Sequence, residues 1–500
     1  MFFQSKKPGD MSHPIQKPRV EGELTLETLE TFFKSCADFA KRTLRLAEGE
    51  QEVTLCWING MVKMERVNEY IIRPLAESSR PEVKGEPRRI LEGGVWNMSV
   101  EERTTMDQVT EDLVNGSCAL FLPGLKGALT IAVPTEEKRS ISSPEIENVV
   151  KGPKDSFVES LRTNTSLLRR HLRTPYLRVE EQIVGRQSLT PVDVIWVEGI
   201  TDPELVAKAG HRIANIDIDA VLSTGNLEEY IIDNKTTAFP QLMFTERPDR
   251  FCIGLMDGRV GILVDGLPMG FLLPGDIAQF IKAPQDKSYN YITVTALTII
   301  RYLCMAITLL LPAFYIAVST FHPEMIPTKL ALSVIASKQD VPFATAFEVL
   351  VMLVAFEVLQ EAGLRLPQTI GQTVSIIGGL VVGQSAVEAK IVSPVVVIVV
   401  AAAGITGFTM PNQDFANALR LWRFGLAVAA SFAGLFGLMA GCAALVYHLA
   451  SIESFGVAYL TPFAPNSGTK IYGQKVFRPP LPKRKFRDLA LEPRNRRNQK

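Results

Sequence analysis

Residues 342–412 read PFATAFEVLVMLVAFEVLQEAGLRLPQTIGQTVSIIGGLVVGQSAVEAKIVSPVVVIVVAAAGITGFTMPN. The stretch is too apolar for an ordinary protein surface, yet it carries acids where lipid would reject them. Its first part, 342–361, is a candidate membrane span with Pro342 at a suitable first helical position. Glu357 and Glu361 stand four apart and share one helix face. Glu348 precedes Glu357 by nine residues, about 180° around a helix. The acids therefore need shielding in at least two directions, which calls for packing between helices or subunits. Two readings of Glu348 and Glu357 stay open: a protonated, hydrogen-bonded structural acid, or part of a polar path or gate.

The second part, 373–410, is 38 residues long. As one helix it would run about 57 Å, nearly twice the hydrocarbon core of a bilayer. It must break, and 388–390, between Gly383 and Pro394, is the natural place. Before the break Gly378, Gly379 and Gly383 offer a small-residue face for close helix contact. Gln384, Glu388 and Lys390 at the break suit the lining of an ion or solute path. Two short helices joined by a plain loop fit the same residues.

Working outward, 292–320 is long enough to span with some tilt. Arg301 within it either snorkels or faces a protein interior. The apolar run between Lys329 and Lys338 is too short to cross and suits an interfacial or re-entrant piece. Residues 424–449 read as the last clear span, with Arg420 and Arg423 as an interface anchor before it. An even number of crossings keeps both chain ends on one side, the side favoured for basic segments.

Residues 21–285 read as a soluble head of mixed helix and strand. A helical pattern runs over 25–46, a strand over 53–58, and two apolar runs flank Pro123-Gly124 as a strand pair. The segment 156–173 is a basic amphipathic helix whose arginines suit a solvated face or a docking face. Strands follow at 192–197 and 259–264, and Thr201 is a candidate cap for the helix after it. The cluster Arg247, Asp249, Arg250 reads as a turn held by local ion pairs, or as a charged binding corner. No GxGxxG after a strand, GxxxxGK[ST], HExxH or GxSxG is present, so nothing points to an enzyme. His171 and His211 lack a local metal partner, and the six cysteines form no CxxC pair. No metal, cofactor or nucleic-acid partner is expected.

The chain balances 53 Lys+Arg against 53 Asp+Glu over its 500 residues. The charge is nonetheless segregated: from Ser467 onward eleven Lys/Arg face two acids, a net of +9. Such asymmetry suggests an orientation signal or an anionic partner. The N-terminus has no run of signal-peptide type. The expected organisation is a disordered N-terminus (1–20), two α/β subdomains of a head (21–145 and 146–285), an α-helical polytopic membrane domain with broken or re-entrant segments (286–460) and a basic cytoplasmic tail (461–500).

Several runs resemble the A subunit of the GerA-type spore germinant receptors of endospore-forming bacteria. They are VVKGPKDSFVESLRTNTSLLRRHLR (149–173), VEGITDPELV (197–206), FPQLMFTERPD (239–249), GRVGILVDGLP (258–268), FEVLQEAGLRLP (356–367), IGQTVSIIGGLVVGQSAVEAKIVSP (370–394) and FTMPN (408–412). The resemblance covers about residues 21–460. It implies a multi-pass protein of the inner spore membrane, with head and tail on the core side. It implies partners: a transporter-like B subunit that holds the germinant and a lipoprotein C subunit. It also implies a homo-oligomer, with a pentamer as the expected ring, acting as a nutrient-gated channel for monovalent cations. A secondary transporter and a non-conducting signalling scaffold are the alternatives. Two departures stand out: SKQDVPFA at 337–344 where the family commonly carries a run like REGIPFP, and Leu353 where it commonly carries a further glutamate.

Overall fold

The computed structural model describes residues 19–45, 52–77, 99–122, 125–135, 144, 147–365, 383–464 and 478–498. The chain divides into two compact units, Met1–Ile141 with Val158–Glu181, and Ser142–Phe157 with Gln182–Lys500.

The first unit is built on β1 (Phe39–Arg45), β2 (Glu52–Ile58), β3 (Val100–Arg103), β4 (Ser117–Phe121) and β5 (Ala128–Ala132), in the order β1-β2-β4-β5-β3. Each pairing is antiparallel. Strand β2 is buried on both faces: Val53, Leu55 and Trp57 join one apolar cluster, Cys56 and Ile58 another. That is why its sequence reads as a continuous apolar run rather than an alternation. The helix expected over 25–46 is shorter. Thr25 caps α1 (Leu26–Phe32), and the chain then turns into β1. The apolar spacing that suggested one helix is shared between a helix face and the start of a strand.

Helix α2 (Met106–Val114) and helix α3 (Leu161–His171) belong to this unit, as does the helical stretch 64–77. One arginine of α3 is not on a solvated face. Arg169 is fully buried and holds the Asp38 carboxylate bidentately, Nη2 at 2.8 Å from Oδ1. Arg162 pairs with Glu181.

The second unit carries β6 (Leu177–Val184), which brings the chain into it, then β7 (Thr190–Val197), β8 (Met243–Thr245), β9 (Val260–Val264) and β10 (Gly270–Leu273), in the order β6-β7-β9-β10-β8. The pairings of β7 with β9, β9 with β10 and β10 with β8 are antiparallel. Both sheets are thus of the α+β kind rather than parallel α/β. Leu205, Ala209 and Ile213 of α4 (Pro203–Ala214) and Leu227 and Ile231 of α5 (Thr224–Ile231) pack with Val192, Val194, Ile262 and Phe271. The cap of α4 is Asp202, one residue beyond the expected Thr201. Helix α6 (Pro248–Asp257) also packs on the sheet, and its Phe251 ring rests on two glycines. A Cβ at Gly261 would lie 2.1 Å from that ring and one at Gly270 2.6 Å from it.

The helices α7 (Tyr291–Phe321), α8 (Thr328–Lys338), α9 (Thr345–Arg365), α10 (Pro394–Gly407) and α11 (Gln413–Ser451) follow, with a helical turn at 383–388 ahead of α10. Asn290 caps α7. Arg301 faces the protein interior: both terminal nitrogens bind the Asp286 carboxylate, at 2.5 and 2.9 Å. Helix α8 has no buried residue. Helix α9 starts at Thr345 rather than Pro342. The chain breaks before α10 as expected, with Lys390 in the left-handed region at φ 56°.

Helix α11 is not one span. Ala433 and Gly434 leave helical geometry, Gly434 at φ 57° and ψ −134°. A Cβ at Gly437 would sit 2.1 Å from the Ala429 carbonyl, and one at Gly441 2.7 Å from the Leu426 side chain. Residues 413–432 and 435–451 are therefore antiparallel arms of a hairpin, and a Gly-x-x-x-Gly pair on the second arm lets the first approach. The expected span 424–449 folds back on itself.

The returning arm leads into a short β-ribbon (Glu453–Ser454 with Val457–Ala458) that enters the head. Ser454 Oγ donates to the Gln241 carbonyl at 2.9 Å and accepts from Gly275 N at 3.2 Å. Phe455 joins the second sheet's core, with the Arg212 guanidinium 4.2 Å from its ring centre. Residues 478–498 form a strap on the same unit. Arg478 donates to the carbonyls of Asp286, Tyr289 and Lys287. Arg484 binds Asp257 at 2.7 Å, Arg487 donates to the Met256 carbonyl, and Leu491 is buried.

Candidate functional site

Helix α9 is apolar along most of its length, and its packing decides where its acids go. Val349 and Leu353 are fully buried. A Cβ at Gly404 would meet the Phe356 ring at 2.4 Å, so α10 lies directly against α9. Glu348 is 2% exposed. Its Oε2 accepts from Ser393 N at 2.8 Å, ahead of α10, and its Oε1 lies 3.4 Å from Lys338 Nζ. Lys338 also donates to Thr345 Oγ1. A carboxylate between an ammonium and a backbone N–H is paid back for its burial by both charge and hydrogen bonding.

Glu357 belongs to a different cluster. Arg423 Nη2 binds its Oε1, and Arg420 Nη1 lies 3.8 Å from its Oε2. Arg423 is buried. The two arginines, three apart on the first arm of the hairpin, therefore grip an acid instead of anchoring an interface. Sequence reasoning missed them because the partners lie 66 residues apart. The available signal was compositional: two arginines three apart on an apolar helix need a counter-charge, and α9 carries one on a matching face.

The remaining candidates lie around the break. Gln384 Nε2 donates to Glu388 Oε1 at 2.9 Å, an exposed i, i+4 pair. Lys390 Nζ binds Asp340 Oδ2 at 2.7 Å, also exposed. Gly383 faces Val397, 3.4 Å from where a Cβ would stand. Gly378 and Gly379 lie outside the described residues. The structure thus gathers the candidates into separate groups. Glu348 and Lys390 each bind residues of the 338–348 segment, Gln384 binds Glu388, and Glu357 pairs with the hairpin. Among the described residues no group of three or more His, Cys, Asp or Glu is placed to hold a metal ion.

The helices also meet the head. The Phe239 ring lies 5.9 Å from that of Phe415, on the first arm, and 6.2 Å from that of His448, on the second. Thr237 Oγ1 and His448 Nε2 are 2.9 Å apart. Tyr459 and Phe280 complete this aromatic joint. Beside it a groove of about 960 Å³ is lined in part by Glu228, Glu229, Lys235 and Asp414. Burial, then Asp414 and Glu229, push the Glu228 carboxyl up to about 7.

Tyr291–Phe321 is long and apolar enough to cross a membrane; Gln413–Ser451 has the length and composition, but its reversal at Ala433–Gly434 divides it into two shorter arms. Two antiparallel-sheet domains joined to apolar helices that carry ion-paired acids define a head-and-helix-bundle class. Residues 27–489 match the family described as Bacillus/Clostridium GerA spore germination protein, and the chain belongs to that family. It is 38% identical over 446 residues to uncharacterized membrane protein YfkQ of Bacillus subtilis (strain 168), covering 88% of this chain and 85% of that one. It is 37% identical over 434 residues to spore germination protein KA of the same organism, covering 87% and 80%. To spore germination protein GerLA of Bacillus cereus it is 32% identical over 428 residues, covering 86% and 87%. A crystal structure of the N-terminal domain of the A subunit of the Bacillus megaterium spore germinant receptor GerK3 aligns with 51% of this chain and 97% of that one, at 24% identity and a TM-score of 0.40.

Proposed function

We propose that this chain is the A subunit of a spore germinant receptor, embedded in the inner spore membrane and acting as a nutrient-gated channel for monovalent cations. Family membership supports the germination role. In this reading a homo-oligomer, expected as a pentamer, surrounds the path, and a transporter-like B subunit holds the germinant beside a lipoprotein C subunit. The head and the strap face the spore core, and no enzymatic step is involved. Large apolar side chains left exposed on the helices, Leu303, Phe432 and Phe436 among them, suit lipid or neighbouring copies.

The observation that carries the channel reading is the Glu357–Arg423 pair. A carboxylate inside apolar helices lowers the barrier for a passing cation by replacing part of its hydration. Paired with Arg423 it is neutralised, so the pair describes a closed state, and gating consists of separating the two. The hairpin that carries Arg423 touches the head at both ends through Phe415 and His448, which gives head movement a direct route to the pair. Current recorded from the assembled receptor in planar bilayers tests this. A scaffold that signals to a separate channel is the second reading, favoured by the ion pairing of both Glu348 and Glu357. It predicts intact assembly without current.

A further inference from the structure

The strap covers a second site. Between it, α6 and the first turns of α7 lies a partly open cavity of about 170 Å³, room for several waters or one small ion. Its acids are already held. Asp257 is bound by Arg484, Asp276 by Arg259, Asp286 by Arg301, and one oxygen of Asp249 by Arg247, while Asp488 lies 3.6 Å from the same Arg259 Nη2 that holds Asp276. Its cations are not all spent. Lys287 has no ion pair among the described residues, and Arg478 binds only backbone carbonyls.

Three further polar atoms of the lining are buried without a partner: Arg259 Nη1, Asp249 Oδ1 and Gln279 Oε1. Arg259 itself is 5% exposed. Burying a polar atom without a partner is unfavourable, so three around one cavity point to something that matches them. The match is specific. Arg259 and Lys287 ask for an anion, while the oxygens Asp249 Oδ1 and Gln279 Oε1 accept and ask for a hydroxyl hydrogen.

We propose that this cavity binds free hydrogen phosphate, an oxyanion that accepts from Arg259 and Lys287 and donates its own hydroxyl to Asp249 or Gln279. Sulfate has the size and shape but no proton to donate at neutral pH. Its oxygens would face the Asp249 carboxylate, so the site discriminates between the two. Because Arg478 and Arg484 hold the strap over the cavity, occupancy also ties the strap to the foot of α7.

Equilibrium dialysis of the full chain in detergent against radiolabelled inorganic phosphate tests the assignment. One saturable site per chain is expected, with sulfate at least about tenfold weaker. Lys287→Ala, an exposed position, should weaken phosphate by about tenfold while the protein stays folded. Asp249→Asn offers an amide donor in the same shape and should bring sulfate to within about threefold of phosphate. Absence of saturable phosphate binding to the unaltered chain overturns the proposal. So does equal affinity for phosphate and sulfate, or an anion preference that Asp249→Asn leaves unchanged. None of these readouts depends on channel activity, so the two proposals fail separately.

Discussion

The rings of Trp422 and His448 lie 5.4 Å apart. An unbroken helix would hold residues 26 positions apart at a separation of about 39 Å. The contact therefore requires the reversal at Ala433–Gly434, and it puts both ends of the last apolar segment at the head. Cysteines at 422 and 448, in a chain whose own six cysteines are replaced, should be joined by a short bismaleimide reagent within a single chain. A straight helix cannot give that product.

The turn itself rests on Gly434. A side chain there meets a positive φ, and its Cβ would stand 2.9 Å from Phe321. Gly434→Val should cost about 2 kcal/mol or more, combining backbone strain with the clash. A lower thermal midpoint of the detergent-solubilised protein, together with loss of the 422–448 crosslink, is the expected result.

The Asp38–Arg169 pair in the first unit offers a test remote from the helices. Both side chains are essentially excluded from solvent. Asp38→Ala leaves a buried guanidinium without its counter-charge, a change that costs about 3–5 kcal/mol. Replacing both residues with apolar side chains should recover most of that loss in denaturant unfolding.

Glu228 makes stability depend on pH. Its folded carboxyl is raised from 4.5 to about 7 by burial, Asp414 and Glu229. The folded state then holds the proton more tightly than the unfolded one. Stability is greatest below about pH 4.5, falls as pH rises through the interval up to about 7, and levels off above it. Glu228→Gln should remove that slope and raise stability above pH 7 by about 1–3 kcal/mol. Thermal midpoints across pH 5–8 measure it, with the unaltered chain as reference.

Much of the helical region was legible because its constraints are local. The break before Pro394 followed from a segment too long to be one helix, and the cost of a bare charge in lipid left Arg301 two places, snorkelling or the protein interior, of which the structure takes the second. The hairpin was hidden because Ala433 and Gly434 sit in an Ala- and Gly-rich apolar run that reads the same whether straight or folded. Partners distant in the chain were hidden as well: Glu357 with Arg423, Asp38 with Arg169, and the strap's arginines with Asp257 and the 286–289 carbonyls. In the head, apolar spacing over 25–46 mixed a helix with a strand, because residues three or four apart can also fall on either side of a turn. Leu353 is buried on α9 between the two acid clusters, so a glutamate there would need a further cation in its surroundings.

The channel reading meets its most direct test in planar bilayers holding the assembled receptor with the proposed B and C subunits. Separating Glu357 from Arg423 is the proposed gating step, so Arg423→Gln should give cation-selective current without germinant, and adding Glu357→Gln should reduce that selectivity. Assembled receptor that passes no current in the unaltered form with germinant, or in Arg423→Gln without it, would contradict the account.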